Sequence, residues 1–425
     1  MNALPWLIVL AASRPEVEAR IQNHVHDHAA ETVQLVEDTA KINSGTLNVE
    51  GVKAVGAIFE AKLKAVGLKT RWAPAPEGSA RAPTLVAEQR GSIGPKLLLI
   101  GHLDTVFEPS DDFDAVRHEN GFLFGPGVYD TKGGNAVIVA ALDALRAAGA
   151  LEGLDVTVVL SGDEERVAKP IAEARAALVE AAKRADYALG FEPAFGGQRV
   201  STARRGSSSW TLEVTADGGH SSGVGAKGYG ALYEAARILE GMRKLLDASD
   251  TLTLNPGLLA GGAEAERFAE GSAVKAQGKT NRIPAKVVAA GDLRFIDEAQ
   301  KTETRQQLNA IAKASLPGTQ ARFQFIDGYP AMAETEESKR LFEKLSAISE
   351  SLGDGPLSLV PPTERGAADI SFAAPHVKGG LAGLGVAGGG AHDPSEKMEI
   401  AHLEKATLRA ALLMLRLKEE GTPEN

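Results

Sequence analysis

Glycine-punctuated stretches of this chain carry acidic and imidazole side chains of the kinds that bind divalent metal. They are His102 and Asp104 in G-H-L-D-T, Asp130 in Y-D-T-K-G-G, Glu164 and Glu165 in S-G-D-E-E, Glu192 in G-F-E-P, and His392 in G-G-A-H-D. Each follows an apolar run or a glycine turn, where a strand gives way to a loop. Open α/β sheets bind ligands beyond the carboxyl ends of their strands. Oxygen and imidazole donors gathered there suit zinc, and cobalt or manganese are compatible with the same set. Two ions about 3.5–4 Å apart can clamp a carbonyl and activate one water. Such a centre needs a bridging carboxylate, terminal ligands on each ion, and a base. Asp130 is the candidate bridge, being short and placed just before the K-G-G turn. His102 and Glu192 complete one ion; Glu165 and His392 complete the other. Asp104 lies two residues beyond His102, on the same face of a strand. It is expected to hydrogen-bond the imidazole and fix its tautomer. Glu164 is the expected general base, moving a proton from the metal-bridging water to the leaving amine.

The elements that must position these residues can be read from periodicity. A helix starts at Pro15, helical pattern continues over 31–41, and another helix covers 52–66 and stops at Gly67. Residues 84–89 and 96–103 read as strands, 134–148 as a helix of small residues, and 156–161 as a buried strand. A helix at 172–184 and a short strand at 187–191 complete an alternation that predicts an α/β domain with a mainly parallel sheet flanked by helices. After Arg204-Arg205-Gly206 the order becomes β-α-β-β-α-β, that of a ferredoxin-like α+β module. Its strands fall at 207–215, 251–254, 286–296 and 321–326, and its helices at 228–246 and 298–314. Residues 257–278, rich in Gly, Ala and Glu, read as a long loop or small excursion. Helices at 336–353 and 400–418 return to the first domain. The expected division is 1–204 with 331–425, interrupted by 205–330.

Taken together and in this order, the motifs resemble a known family. It comprises the zinc-dependent exopeptidases and deacylases that include aminoacylase, succinyl-diaminopimelate desuccinylase and glutamate carboxypeptidase. The stretches that carry the resemblance are L-L-L-I-G-H-L-D-T-V, G-P-G-V-Y-D-T-K-G-G-N-A-V, S-G-D-E-E, L-G-F-E-P, G-G-H-S-S, N-R-I-P-A and A-H-D-P-S-E. The glutamate carboxypeptidase branch is the most similar, through D-T-K-G-G-N-A-V and F-E-P. The resemblance implies two zinc ions held as above, in a catalytic domain interrupted by a lid domain that often makes a homodimer. It implies that His220 reaches into the partner subunit's site and steadies the oxyanion, and that Asn281 contacts substrate near the scissile amide. Arg294 is a candidate for a substrate carboxylate, which a guanidinium fork matches; a surface salt bridge is the other reading. Where glutamate carboxypeptidases have Arg-Pro, this chain has Tyr329-Pro330, and the Arg205 turn is placed to compensate. The implied reaction is hydrolysis of an amide next to a free carboxylate, on a small peptide or N-acyl amino acid. A dipeptidase or aminopeptidase on the same scaffold is the alternative.

Bulk properties bound the rest. The chain has 425 residues, with 44% apolar and 24% charged, and a formal net charge of −10. That length suggests two domains, and dispersed acidity argues against nucleic acid as a partner. With no cysteine, thiolate metal sites, disulfides and cysteine nucleophiles are excluded. No stretch is apolar enough to span a bilayer. Residues 4–12 resemble the apolar core of a secretory signal, though no Lys or Arg precedes them. Cytoplasm and periplasm both stay open. His24, His26 and His28 read as a solvated helix face, since only His24 and His28 align on a helix.

Overall fold

Strands with no polar alternation must be covered on both faces. The computed structural model, which describes residues 13–420 apart from 112, 114 and 269–272, sets such strands in the middle of one six-stranded sheet, with the more exposed Lys69–Ala73 at its edge. The order is Lys69–Ala73, Thr84–Gln89, Leu154–Ser161, Ile93–His102, Tyr187–Gly190, Gly379–Ala382. The last four run parallel, and Thr84–Gln89 is antiparallel to both its neighbours. Leu154–Ser161 is buried along its whole length. Helix Lys132–Ala147 packs against helix Ile400–Glu420, which buries Leu403, Leu412, Leu413 and Met414. Each such side chain contributes about 1.5–3 kcal/mol.

Register does the positioning. Ile100 pairs with both Val159 and Gly190, and His102 pairs with Ser161. The residues following these three strands therefore leave the sheet at one level. They are the G-H-L-D-T, S-G-D-E-E and G-F-E-P segments.

The chain divides into two compact units. One comprises Met1–Thr202, Glu334–Val360 and Ala373–Asn425; the other comprises Ala203–Ala333 and Pro361–Phe372. Within the second, strands Thr253–Gly262, Lys286–Phe295, Gly206–Ala216 and Thr319–Asp327 form an all-antiparallel sheet in that order. Helices Ala231–Asp247 and Glu298–Lys313 cover it around a core that includes Trp210, Ile238, Leu293 and Leu308. This is the ferredoxin-like arrangement.

Several expectations need correction. Much of the 257–278 segment is paired β structure. The edge strand continues to Gly262 through a bulge between Pro256 and Leu258, and Glu264–Phe268 pairs with Ala273–Gln277. Proline is tolerated at such an edge bulge, and small residues hid the pairing from propensity. K-G-G is the first turn of helix Lys132–Ala147, and its glycines serve close approach. A Cβ on Gly134 would lie 1.9 Å from the Phe191 carbonyl oxygen. The 172–184 helix is two pieces, Ile171–Ala174 and Ala176–Ala182, broken at Arg175, whose buried guanidinium pairs with Asp163. A four-stranded sheet of Gly388–Gly389, Lys397–Glu399, Phe122–Phe124 and Arg117–Glu119 was not legible, its strands being too short for a period. The signal-like run at 4–12 lies outside the described residues. Among those described, no helix is long and apolar enough to cross a membrane.

Candidate metal centre

The two oxygens of Asp130 face two different clusters. His102 Nε2 lies 3.2 Å from Asp130 Oδ1 and 3.7 Å from Glu192 Oε1. His392 Nε2 lies 3.4 Å from Asp130 Oδ2 and 3.1 Å from Glu165 Oε2. In each trio, one donor atom per residue lies within 4.8 Å of the others. The geometry is that of two adjoining cation sites sharing one carboxylate.

The donor set fits a cation by its own chemistry. His102 Nδ1 is 3.0 Å from the Asp104 carbonyl oxygen, which can only accept, so Nδ1 carries the proton. Its Nε2 then turns a lone pair toward two carboxylates, an arrangement that a positive charge between them stabilises. With only protons to satisfy the carboxylates, the imidazoles must supply that charge. Hydrogen bonds to Asp130 and Glu165 hold His392 protonated up to about 10. Burial lowers His102, but Asp104, Asp130, Glu192 and Glu164 raise it further, well above its usual range. Burial raises Asp130, yet its two histidine partners hold it below the usual carboxylate range.

Asp104 does more than stand beside the His102 ring. Its carboxylate is 3.4 Å from His102 Nδ1, farther than its own backbone carbonyl. It is fully buried and accepts from Glu164 N at 2.9 Å, Glu165 N at 3.1 Å and Thr46 Oγ1 at 2.6 Å. Asp104 thus anchors the backbone that carries Glu164 and Glu165. Glu164 is half-buried and within electrostatic reach of the His102 ring.

His392 adopts a left-handed backbone, φ 62°, which histidine visits more readily than most residues. Gly390 precedes it at φ 75°. Three supporting residues carried no assignment in the sequence reading. Asn135 donates Nδ2 to the His102 carbonyl oxygen at 2.6 Å. Glu396 binds the backbone before Asp130. His402 accepts from Ala387 N and faces the Gly197 carbonyl oxygen, joining the segments that follow Glu192 and precede His392. Of these, Glu396 stood inside A-H-D-P-S-E, and its spacing from His392 was the available signal.

The remaining candidates lie in the second unit and form two groups. His220 pairs in register with Arg282, and Ser221 N donates to the Asn281 carbonyl oxygen, so His220 and Asn281 sit together. His220 Nδ1 accepts from Ser222 N, which leaves its Nε2 as the N–H donor on an exposed ring. At the other end of strand Gly206–Ala216, Arg294 pairs with Ser207, whose backbone N donates to the Tyr329 carbonyl oxygen while Tyr329 N donates to the Ser207 hydroxyl oxygen. Arg205 donates to Thr253. Arg294 Nε is bound to Asp292 at 2.6 Å. The Tyr329 ring sits edge-on to Phe372, 5.0 Å between centroids. Burial and the Arg294 charge lower Arg205, which Asp292 partly offsets. An eleven-residue strand separates the two groups, a length of about 30 Å. The structure does not bring all four proposed substrate contacts together within one chain.

Comparison with known proteins follows the same lines. Residues 98–416 match the profile of Peptidase family M20/M25/M40. The chain is 30% identical over 401 residues to carboxypeptidase G2 of Pseudomonas sp. (strain RS-16), covering 92% of this chain and 90% of that one. Among solved structures, aminopeptidase PepT from Bacillus cereus superposes with a TM-score of 0.72 at 16% identity, covering 92% of this chain and 98% of that one. A dinuclear metal-binding M20 peptidase of Bacillus subtilis gives a TM-score of 0.62 at 14% identity, covering 93% and 99%. At these identities the solved structures speak to the fold.

Proposed function

The chain belongs to Peptidase family M20/M25/M40, and from that premise we propose a dinuclear metallohydrolase that cleaves an amide bond next to a free carboxylate. The observation that carries this reading is Asp130, with one oxygen toward His102 and Glu192 and the other toward Glu165 and His392. A resident pair of divalent ions, zinc by donor type, would polarise the amide carbonyl and acidify a water. Glu164 takes the proton of that water and passes it to the leaving nitrogen. Asp104 holds Glu164 in place. The excess of guanidinium over carboxylate around Arg205, Arg294 and Asp292 favours an anionic substrate group. With Tyr329 uncharged, these arginines are the proposed carboxylate contacts.

His220 and Asn281 lie a strand's length from those arginines, so one small substrate cannot touch both groups of the same chain. A homodimer, in which a second copy supplies His220 and Asn281, meets that requirement. Exposed Leu232 and Tyr233 on one helix and Leu259 on the edge strand offer apolar surface for such a contact.

Two measurements test the reading. Glu164→Gln should lower kcat by about 10²–10⁴-fold while both ions stay bound; an undiminished rate would remove the base. Matched dipeptides with blocked and free amino ends should both be cleaved when the terminal carboxylate is free. Cleavage of the unblocked peptides alone would replace this reading with a dipeptidase or aminopeptidase.

A further inference from the structure

The turn that delivers Asp130 has no regular secondary structure of its own to hold it. Its backbone donors must therefore find partners elsewhere. Three of them point at one carboxylate. Glu396 Oε2 accepts from Gly127 N at 2.9 Å, and Oε1 accepts from Tyr129 N and Asp130 N, each at 2.9 Å. Glu396 is fully buried. It follows His392 by four residues, in the loop between Gly388–Gly389 and Lys397–Glu399. The Glu396 carbonyl oxygen also accepts from Gly125 N at 3.3 Å, and Lys397 pairs with Phe124. On the far side of the turn, Lys132 N donates to the Gly127 carbonyl oxygen at 2.7 Å; burial lowers its side-chain amine to about 7, which the Glu396 charge partly offsets.

We propose that Glu396 is a positioning residue that sets the separation of the two cation sites. It fastens the loop that carries His392 to the turn that ends at Asp130. A buried carboxylate accepting three N–H groups is a charge-assisted clamp, short and directional. Its two oxygens grip the turn on both sides of Val128, so Asp130 cannot swing without breaking it. His392 gains most from this, because its side chain is exposed and its backbone is strained. The inference rests on the dinuclear reading above, and the test separates the two.

Cobalt stoichiometry and affinity would be measured by chelator competition on wild type, Glu396→Gln and Glu396→Asp, well below their melting temperatures. Wild type should bind two ions. Glu396→Gln, which presents an amide where N–H donors need an oxygen, should bind its weaker ion about 10–100-fold less tightly. Glu396→Asp, charged but one methylene shorter, should fall between. A residue that merely supports the fold would lower the melting temperature of the metal-free protein and leave affinity unchanged; that result overturns the proposal. If wild type itself binds no more than one ion, the dinuclear reading fails first. Should the variants not fold, hydrogen exchange on wild type decides. The amides of Gly127, Tyr129 and Asp130 should be strongly protected in the metal-free protein, and rapid exchange there removes the clamp.

Discussion

Asp104→Asn changes one atom and tests how the base is held. The two backbone N–H groups of Glu164 and Glu165 bind different oxygens of Asp104. Asparagine has only one oxygen to offer, so in either flip one of these N–H groups faces an amide NH₂. The Thr46 hydroxyl can rotate to follow the change; the backbone donors cannot. Losing a charge-assisted bond and leaving an N–H unpaired in a fully buried place costs about 2–4 kcal/mol. For a body of this size that is a fall of about 3–7 °C in Tm. The larger effect should be on rate. The repelled segment carries both Glu164 and Glu165, and a displacement near 1 Å costs about 10²-fold in turnover. Thr46→Val is the control. It removes one donor, leaves both backbone bonds intact, and should cost about 1 kcal/mol with a small change in rate. Steady-state kinetics, bound-metal analysis and thermal unfolding on the three proteins decide the matter. Unchanged kcat and Tm in Asp104→Asn would refute the anchoring role, whatever Thr46→Val does.

Two further outcomes follow from neighbouring residues. Arg175 places NH1 2.6 Å from Asp163 Oδ1, with both side chains buried behind the Glu164 loop. Arg175→Met strands that carboxylate and should destabilise by about 3–5 kcal/mol in urea unfolding, whereas an unchanged midpoint would show the pair is dispensable. Burial, with the charges of Arg409 and Lys405, pushes His402 down to about 4. Its folded value therefore lies below the unfolded one, so its neutral form favours the native state above about pH 6.5. As pH falls from there toward 4, the unfolded chain takes a proton that the native chain refuses, losing about 1.4 kcal/mol per unit and about 3 kcal/mol in all. The stability difference between wild type and His402→Gln should shrink over that window, and a difference flat with pH would contradict it.

The fold was legible where chemistry repeats with a period. The nearly continuous apolar run at 156–161 suits a buried strand, and the strand found there is Leu154–Ser161. The β-α-β-β-α-β order of the second unit follows from alternation and two amphipathic helices. Short strands gave no such signal. Gly388–Gly389 and Lys397–Glu399 are too brief to show alternation, and their pairing with Phe122–Phe124 depends on contacts hundreds of residues apart. The hairpin at 264–277 was obscured by alanine and glycine, which favour neither state strongly enough to be read. The segment Pro361–Phe372 clusters with the second unit although it lies within a long return through the first, and nothing local to it announces that.

The candidate centre divides along a similar line. The donor residues that the structure brings together around Asp130 were visible by type, because His, Asp and Glu gathered at strand ends in such number are unusual. Residues that hold those residues were not. Asp104 was read as the partner of a ring because it is two positions from His102. The strand ends at His102, so the face-sharing rule says nothing of what else the Asp104 carboxylate meets. Besides standing 3.4 Å from the ring, the carboxylate also binds the Glu164 and Glu165 amides, which lie beside it because His102 and Ser161 are paired across parallel strands. Glu396 illustrates the same limit. Its partners are backbone N–H groups, which every residue possesses and no sequence displays. Side-chain ligands can be found by type and spacing; spacing from His392 could have singled out Glu396, but its task is known only once the turn is.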